Sequence, residues 1–245
     1  MTDFESMLKA VVFDLPGTVL RTEDNGEAHL RLMESLVERY KLGDEPVFLL
    51  EKFNARISEP YERLDKGWVS HRETVTAVMG GFLRSRGIEV APGDEEWFYR
   101  EYLDKHQSFV RLSSGADDML ARCFGLNLHI AAVGNMDRDY IDKQLRWLSV
   151  FERFDSITTP EDAGAPLPDD RMLKTALGRS GAEPAQAIFV GDSVERGIRT
   201  AKKLGLATVL LDVAMNQTDL SSADFVASSS GRVLNILIEL VYRPR

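Results

Sequence analysis

The chain has 245 residues, 44% of them hydrophobic and 28% charged, which is enough apolar sequence for one core and a modest second unit. The 39 acidic residues outnumber the 30 basic ones for a formal charge of −9, which argues against a nucleic-acid footprint and against attraction to an anionic membrane. Cys123 is the single cysteine, so an intrachain disulfide and a cysteine-built zinc site are excluded.

The N-terminal Met-Thr-Asp-Phe-Glu is acidic and has no basic region leading into an apolar run, so no secretory signal of the usual kind is expected. No apolar segment approaches the ~20 residues that span a bilayer. A cytoplasmic protein is the resulting expectation. The four histidines, His29, His71, His106 and His129, form no pair at metal-ligand spacing and read as surface or packing residues.

In chain order, Lys9-Ala-Val-Val-Phe-Asp14 is a short apolar run closed by a carboxylate and followed by Pro16 and Gly17. That pattern predicts a buried strand ending in a sharp turn. In an open parallel sheet the carboxyl ends of central strands form the ligand crevice, so Asp14 stands where chemistry is usually done. Residues 19–25 read as a polar turn. Leu30, Met33, Leu36, Val37 and Tyr40 then recur at helical spacing, and Val47, Leu50, Phe53 and Ile57 continue the pattern. Thr74, Val75, Val78, Met79 and Phe82 form another stripe, stopped at Arg86-Gly87, and Asp94 is read as the cap of a helix carrying Phe98 and Tyr102. Residues 20–108 therefore read as an all-helical insertion. Trp97, Phe98, Tyr99 and Tyr102 fit its core better than a substrate wall.

From Gly115 onward helices and strands alternate, which predicts parallel strands with right-handed crossovers. The expected helices are 116–124, 139–148, one opened by Asp169-Asp170 and closed by Ser180-Gly181, one ending at Leu204-Gly205, and an apolar terminal helix carrying Val233, Leu234, Leu237, Ile238 and Val241. The expected strands are 128–133, 156–158, 187–190 and 206–211, and Ser228-Ser229-Ser230-Gly231 reads as a loop. The fold class is thus α/β, with a parallel-sheet core over residues 1–19 and 109–245 and a helical domain over 20–108.

Four motifs carry the functional reading. Phe13-Asp14-Leu15-Pro16-Gly17-Thr18 resembles the first motif of the haloacid dehalogenase-like (HAD) superfamily, which usually reads Asp-x-Asp-Gly-Thr. Gly191-Asp192-Ser193 after Ala-Ile-Phe-Val resembles its fourth. The layout, a helical cap inserted after the first strand of a Rossmann-like core, is also that of HAD members, mostly phosphatases, so the resemblance covers nearly the whole chain.

The resemblance implies that Asp14 is the nucleophile and that Asp14 and Asp192 hold Mg²⁺. It also implies that Gly134 and Asn135, at the second motif, face phosphate or substrate. At four positions the chain departs from the pattern. Pro16 replaces the second acid, which protonates the leaving group, and also removes a backbone N–H. Gly134 replaces a Ser or Thr donor. Leu167, in Gly164-Ala-Pro-Leu-Pro-Asp169, replaces the lysine that neutralises charge. Gly197 replaces a further acid, so the implied Mg²⁺ is weakly bound.

An acid-base group is worth about 10²–10⁴-fold and an electrostatic donor about 10²–10³-fold. Such losses do not add simply, but roughly 10⁴-fold or worse is expected together. Three functional readings follow. The first is a HAD-like pseudoenzyme, catalytically impaired, acting by binding a small phosphorylated or anionic ligand or a protein partner. The second is an active hydrolase of small phosphate esters with a rearranged site, another side chain such as Lys143 replacing the missing groups. The third is a 2-haloacid dehalogenase, which uses a lone Asp without the second acid. No nucleic-acid or membrane partner is expected.

Overall fold

The computed structural model describes residues 8–57, 68–215 and 219–242; the acidic N-terminal stretch read above lies outside them. The chain divides into two compact units, one of them Thr22–Arg111 with Met136–Trp147 and the other the remainder.

The larger unit is built on six parallel strands: β1 (Ala10–Asp14), β4 (His129–Val133), β5 (Ser156–Thr158), β6 (Ala187–Gly191), β7 (Ala207–Leu211) and β8 (Phe225–Ala227). Their order is β5-β4-β1-β6-β7-β8. Every residue of β1 and β6 is buried, because a central parallel strand is covered on both faces and so reads as a continuous apolar run. Helices α5 (Ala116–Phe124), α7 (Pro160–Ala163), α8 (Arg171–Ser180), α9 (Arg199–Leu204) and α10 (Ser230–Val241) complete this unit.

Two short strands, β2 (Leu20–Thr22) and β3 (Val110–Leu112), form a sheet of their own at the points where the chain passes between the units. The sequence placed 20–22 in a turn and did not indicate β3 or β8. Three-residue strands carry too little alternation to register as a period. The serine run before the terminal helix is also partly helical. Ser229 is the N-cap, its hydroxyl accepting from Arg232 N, so Ser230 and Gly231 fall inside α10.

The second unit comprises α1 (Asn25–Tyr40), α2 (Pro46–Ile57), α3 (His71–Arg84), α4 (Asp94–Gln107) and α6 (Arg138–Trp147) among the described residues. Its core joins Leu32, Leu36, Phe53, Val75, Met79, Phe98, Tyr99 and Tyr140. Phe98, Tyr99 and Tyr102 are core residues, as the spacing suggested, while Arg39 lies 4.5 Å over the ring of Trp97. At the start of α4 the N-cap is Gly93 and not Asp94, whose carboxylate instead accepts from Ala91 N at 2.7 Å.

Segment 136–147, read from the sequence as part of the sheet domain, packs with these helices. The reason is local. Asp137, 1% exposed, accepts from His71 N and Arg72 N, both at 2.9 Å, satisfying two of the unpaired amides that open α3. Tyr99 Oη donates to Asp137 at 3.0 Å and to Asp139 at 2.7 Å. Burial alone would raise the Asp137 carboxyl, but His71 and these amides outweigh it and hold it low.

Candidate functional site at the strand tips

Three strand ends meet at the middle of the large sheet. Asp14 closes β1 and pairs in register with Val133, the last residue of β4, while Phe13 pairs with Val190 on β6. Successive strands run outward from β1 through β4 to β5, and then on its other side through β6 and β7 to β8. The direction of winding reverses at β1, and open parallel sheets form their ligand crevice at such a reversal.

Asp14 and Asp192 share this crevice. Asp14 is 5% exposed, and burial, then the charge of Asp192, pushes its carboxyl up to about 8, against a smaller opposing pull from Arg196. The carboxyl of Asp192 is likewise raised by burial, and again Arg196 opposes the shift. A Cβ on Gly17, which turns the chain after β1 at φ +81°, would overlap the Asp192 carboxylate, so the turn needs glycine both for its backbone and for its neighbour. The hydroxyl of Thr18, fully buried, has no hydrogen-bond partner.

The second-motif residues are engaged elsewhere. The Asn135 side chain accepts from Leu167 N and donates to Leu167 O, both at 2.8 Å, so its amide clamps the third-motif loop. Gly134 N donates to Thr158 O at 3.3 Å, Leu15 N to Val133 O at 2.8 Å and Gly17 N to Leu20 O at 2.7 Å. These interactions give Asn135 a positioning role and commit the Gly134 amide that the sequence left for phosphate.

Leu167, in the lysine's place, is 1% exposed and belongs to the core cluster with Met172, Leu173 and Val194. Lys143, considered from sequence as a substitute cation, belongs to the helical unit and is ion-paired there with Asp104.

One site residue was missed from sequence. Arg196 Nη2 lies 3.6 Å from Asp192 Oδ1, with its side chain 52% exposed. The signal was its spacing: four residues after Asp192 on a helical start brings the two side chains to one face. Ser193 caps that start, its Oγ accepting from Arg196 N at 3.3 Å. The following turn, Val194–Ile198, is π-helical.

A doubly wound parallel sheet that carries one acid at the tip of its first strand and another at the tip of the neighbouring strand defines an α/β protein with a paired-acid crevice. The sequence profile of haloacid dehalogenase-like hydrolases matches residues 11–211, and the chain belongs to that family. It is 30% identical over 156 residues to the haloacid dehalogenase-like hydrolase domain-containing protein 3 of Bos taurus, a match covering 63% of this chain and 61% of that protein. It is 28% identical over 242 residues to the glyceraldehyde 3-phosphate phosphatase of Methanocaldococcus jannaschii, covering 96% of this chain and 99% of the relative. A crystal structure of a HAD phosphatase from Thermococcus onnurineus superposes with TM-score 0.68 at 21% identity, over 94% of this chain and 98% of the other. No described helix is long and apolar enough to cross a membrane.

Phosphatases of this family generally use Mg²⁺, and the residues present here fit it poorly. Asp14 and Asp192 are, among the described residues, the acids that act on each other at the strand tips, Gly197 supplies no third acid, and a guanidinium already lies beside Asp192. Among the described residues no three His, Cys, Asp or Glu side chains gather into a metal-binding group, so the protein offers Mg²⁺ two carboxylates at most here.

Proposed function

We propose that this chain is a HAD-family protein of impaired hydrolytic power that acts by binding a small phosphorylated or anionic ligand. The observation that carries the reading is Leu167: the position of the neutralising cation is part of the hydrophobic core, clamped through its own backbone by Asn135. A lysine is not one rotamer away from service there. Pro16 has neither proton nor N–H to give, and Asp14 is buried beside a second acid, which pushes its carboxyl up. Together these support a loss of roughly 10⁴-fold or worse against a fully equipped site. Any Mg²⁺ is held weakly by Asp14 and Asp192, and a cytoplasmic setting completes the reading.

A screen of phosphate monoesters with magnesium is expected to give turnover at background level, unchanged in Asp14→Asn. Brisk hydrolysis abolished by Asp14→Asn would overturn the proposal and favour the rearranged-site hydrolase. Halide release from a 2-haloacid is the corresponding assay for the dehalogenase reading.

A further inference from the structure

We propose that Arg196 takes the place of the divalent cation at this site: its guanidinium is the counter-ion of Asp192, and the crevice holds a small phosphate-type oxyanion without metal. Asp192 Oδ1 is buried and accepts no hydrogen bond, and the Arg196 guanidinium stands 3.6 Å from it. A cation of the chain therefore lies beside a buried carboxylate oxygen that no hydrogen bond satisfies.

The placement is built into the backbone. Ser193 Oγ accepts from Arg196 N, and Gly197 N and Ile198 N both donate to Ser193 O at 3.2 Å. This widened turn fixes where Arg196 begins. Behind it, the fully buried ring of Phe189 fills the space beside Gly197: a Cβ there would fall 2.5 Å from the ring. A carboxylate at 197 is thus sterically disfavoured, and with it the third acidic ligand.

An arginine is suited to the role differently from a metal. Its planar fork offers five N–H donors and matches two oxygens of a phosphate at once, and half of the side chain is solvent-exposed. A divalent ion entering beside it would meet like charge at short range.

The inference rests on the proposed function only in treating the crevice as a binding site, and its test is separate from turnover. The full chain is titrated calorimetrically with inorganic phosphate and with phenyl phosphate, in EDTA and in millimolar magnesium. Expected are binding of the same strength in both buffers and a loss of about 10–100-fold in Arg196→Gln, with Arg196→Lys in between and both variants matching the wild type by circular dichroism. Equal affinity for the two probes assigns the site to free phosphate, and tighter phenyl phosphate to a monoester. Magnesium-dependent binding, unchanged affinity in Arg196→Gln, or no binding of either probe would overturn the proposal. So would sub-millimolar Mn²⁺ binding seen by paramagnetic resonance in the wild type. Turnover that persists in EDTA, by contrast, would sink the functional reading and leave this one standing.

Discussion

The ring of Phe189 and the bare Cα of Gly197 are complementary: a Cβ at 197 would lie 2.5 Å from two ring carbons, and one at Gly191 would lie 2.6 Å from the same ring. Phe189 is fully buried on β6. The missing acid of the fourth motif is therefore a packing feature and not only a change of side chain. Replacing Gly197 by Asp, the residue the family pattern carries, is expected to destabilise the protein by about 1–3 kcal/mol through overpacking, with burial of the new carboxylate adding to the cost. Urea unfolding measures the change. An unaltered midpoint would show that the ring yields.

Asn135 is predicted to matter for stability before it matters for ligand. Its two hydrogen bonds to Leu167 are the side-chain clamp on the loop that runs into α8. Asn135→Ala leaves a buried N–H and C=O unsatisfied and is expected to cost about 2–4 kcal/mol. Asn135→Asp keeps the bond accepted from Leu167 N and loses the one donated to Leu167 O, so denaturation midpoints should rank wild type above Asp above Ala.

The Asp137 carboxylate ties segment 136–147 to α3. Asp137→Ala removes the acceptor that His71 N and Arg72 N share and one of the two acceptors of the Tyr99 hydroxyl, which keeps Asp139. A loss of about 2–4 kcal/mol is expected, above that of a single helix cap, because the site is buried. Hydrogen exchange should show the first turn of α3 losing protection first. Uniform exchange across the chain would contradict the assignment.

Acid should unfold the protein through its buried histidines. His106, 2% exposed, is pushed down to about 3 by burial, then by the neighbouring His29, while the Tyr102 carbonyl it bonds at 2.8 Å opposes the shift. His29 is also lowered by burial, against its bond to Asn54. Among the described residues, Asp137 lies 3.5 Å from His71, the third histidine that acts on His106. A group whose folded pKa lies below its unfolded value of 6.5 binds more protons when unfolded. Its stabilisation is whole above pH 6.5 and falls as pH drops toward 3. His106→Phe, close in volume, should move the acid midpoint of unfolding down by about one pH unit, measured by circular dichroism from pH 7 to 3. No movement would mean that other groups carry the acid limb.

The sequence by itself determined the alternating architecture, the helical insertion and the two acids. Each is written locally, as apolar runs of strand length, stripes at helical spacing, and a carboxylate next to a turn. It also showed which chemical groups are absent at positions 16, 134, 167 and 197, because side-chain identity alone settles what can give a proton or carry charge. Only the tertiary structure decided the rest. That Asn135 spends its amide on Leu167, that Phe189 fills the space beside Gly197, that Asp137 ties α6 to α3 and that Arg196 faces Asp192 are contacts made by folding. All but the last join residues too far apart in sequence for spacing to predict. Even Arg196, four residues from Asp192, acquires its meaning only when β1 and β6 lie side by side and set Asp14 and Asp192 at one crevice.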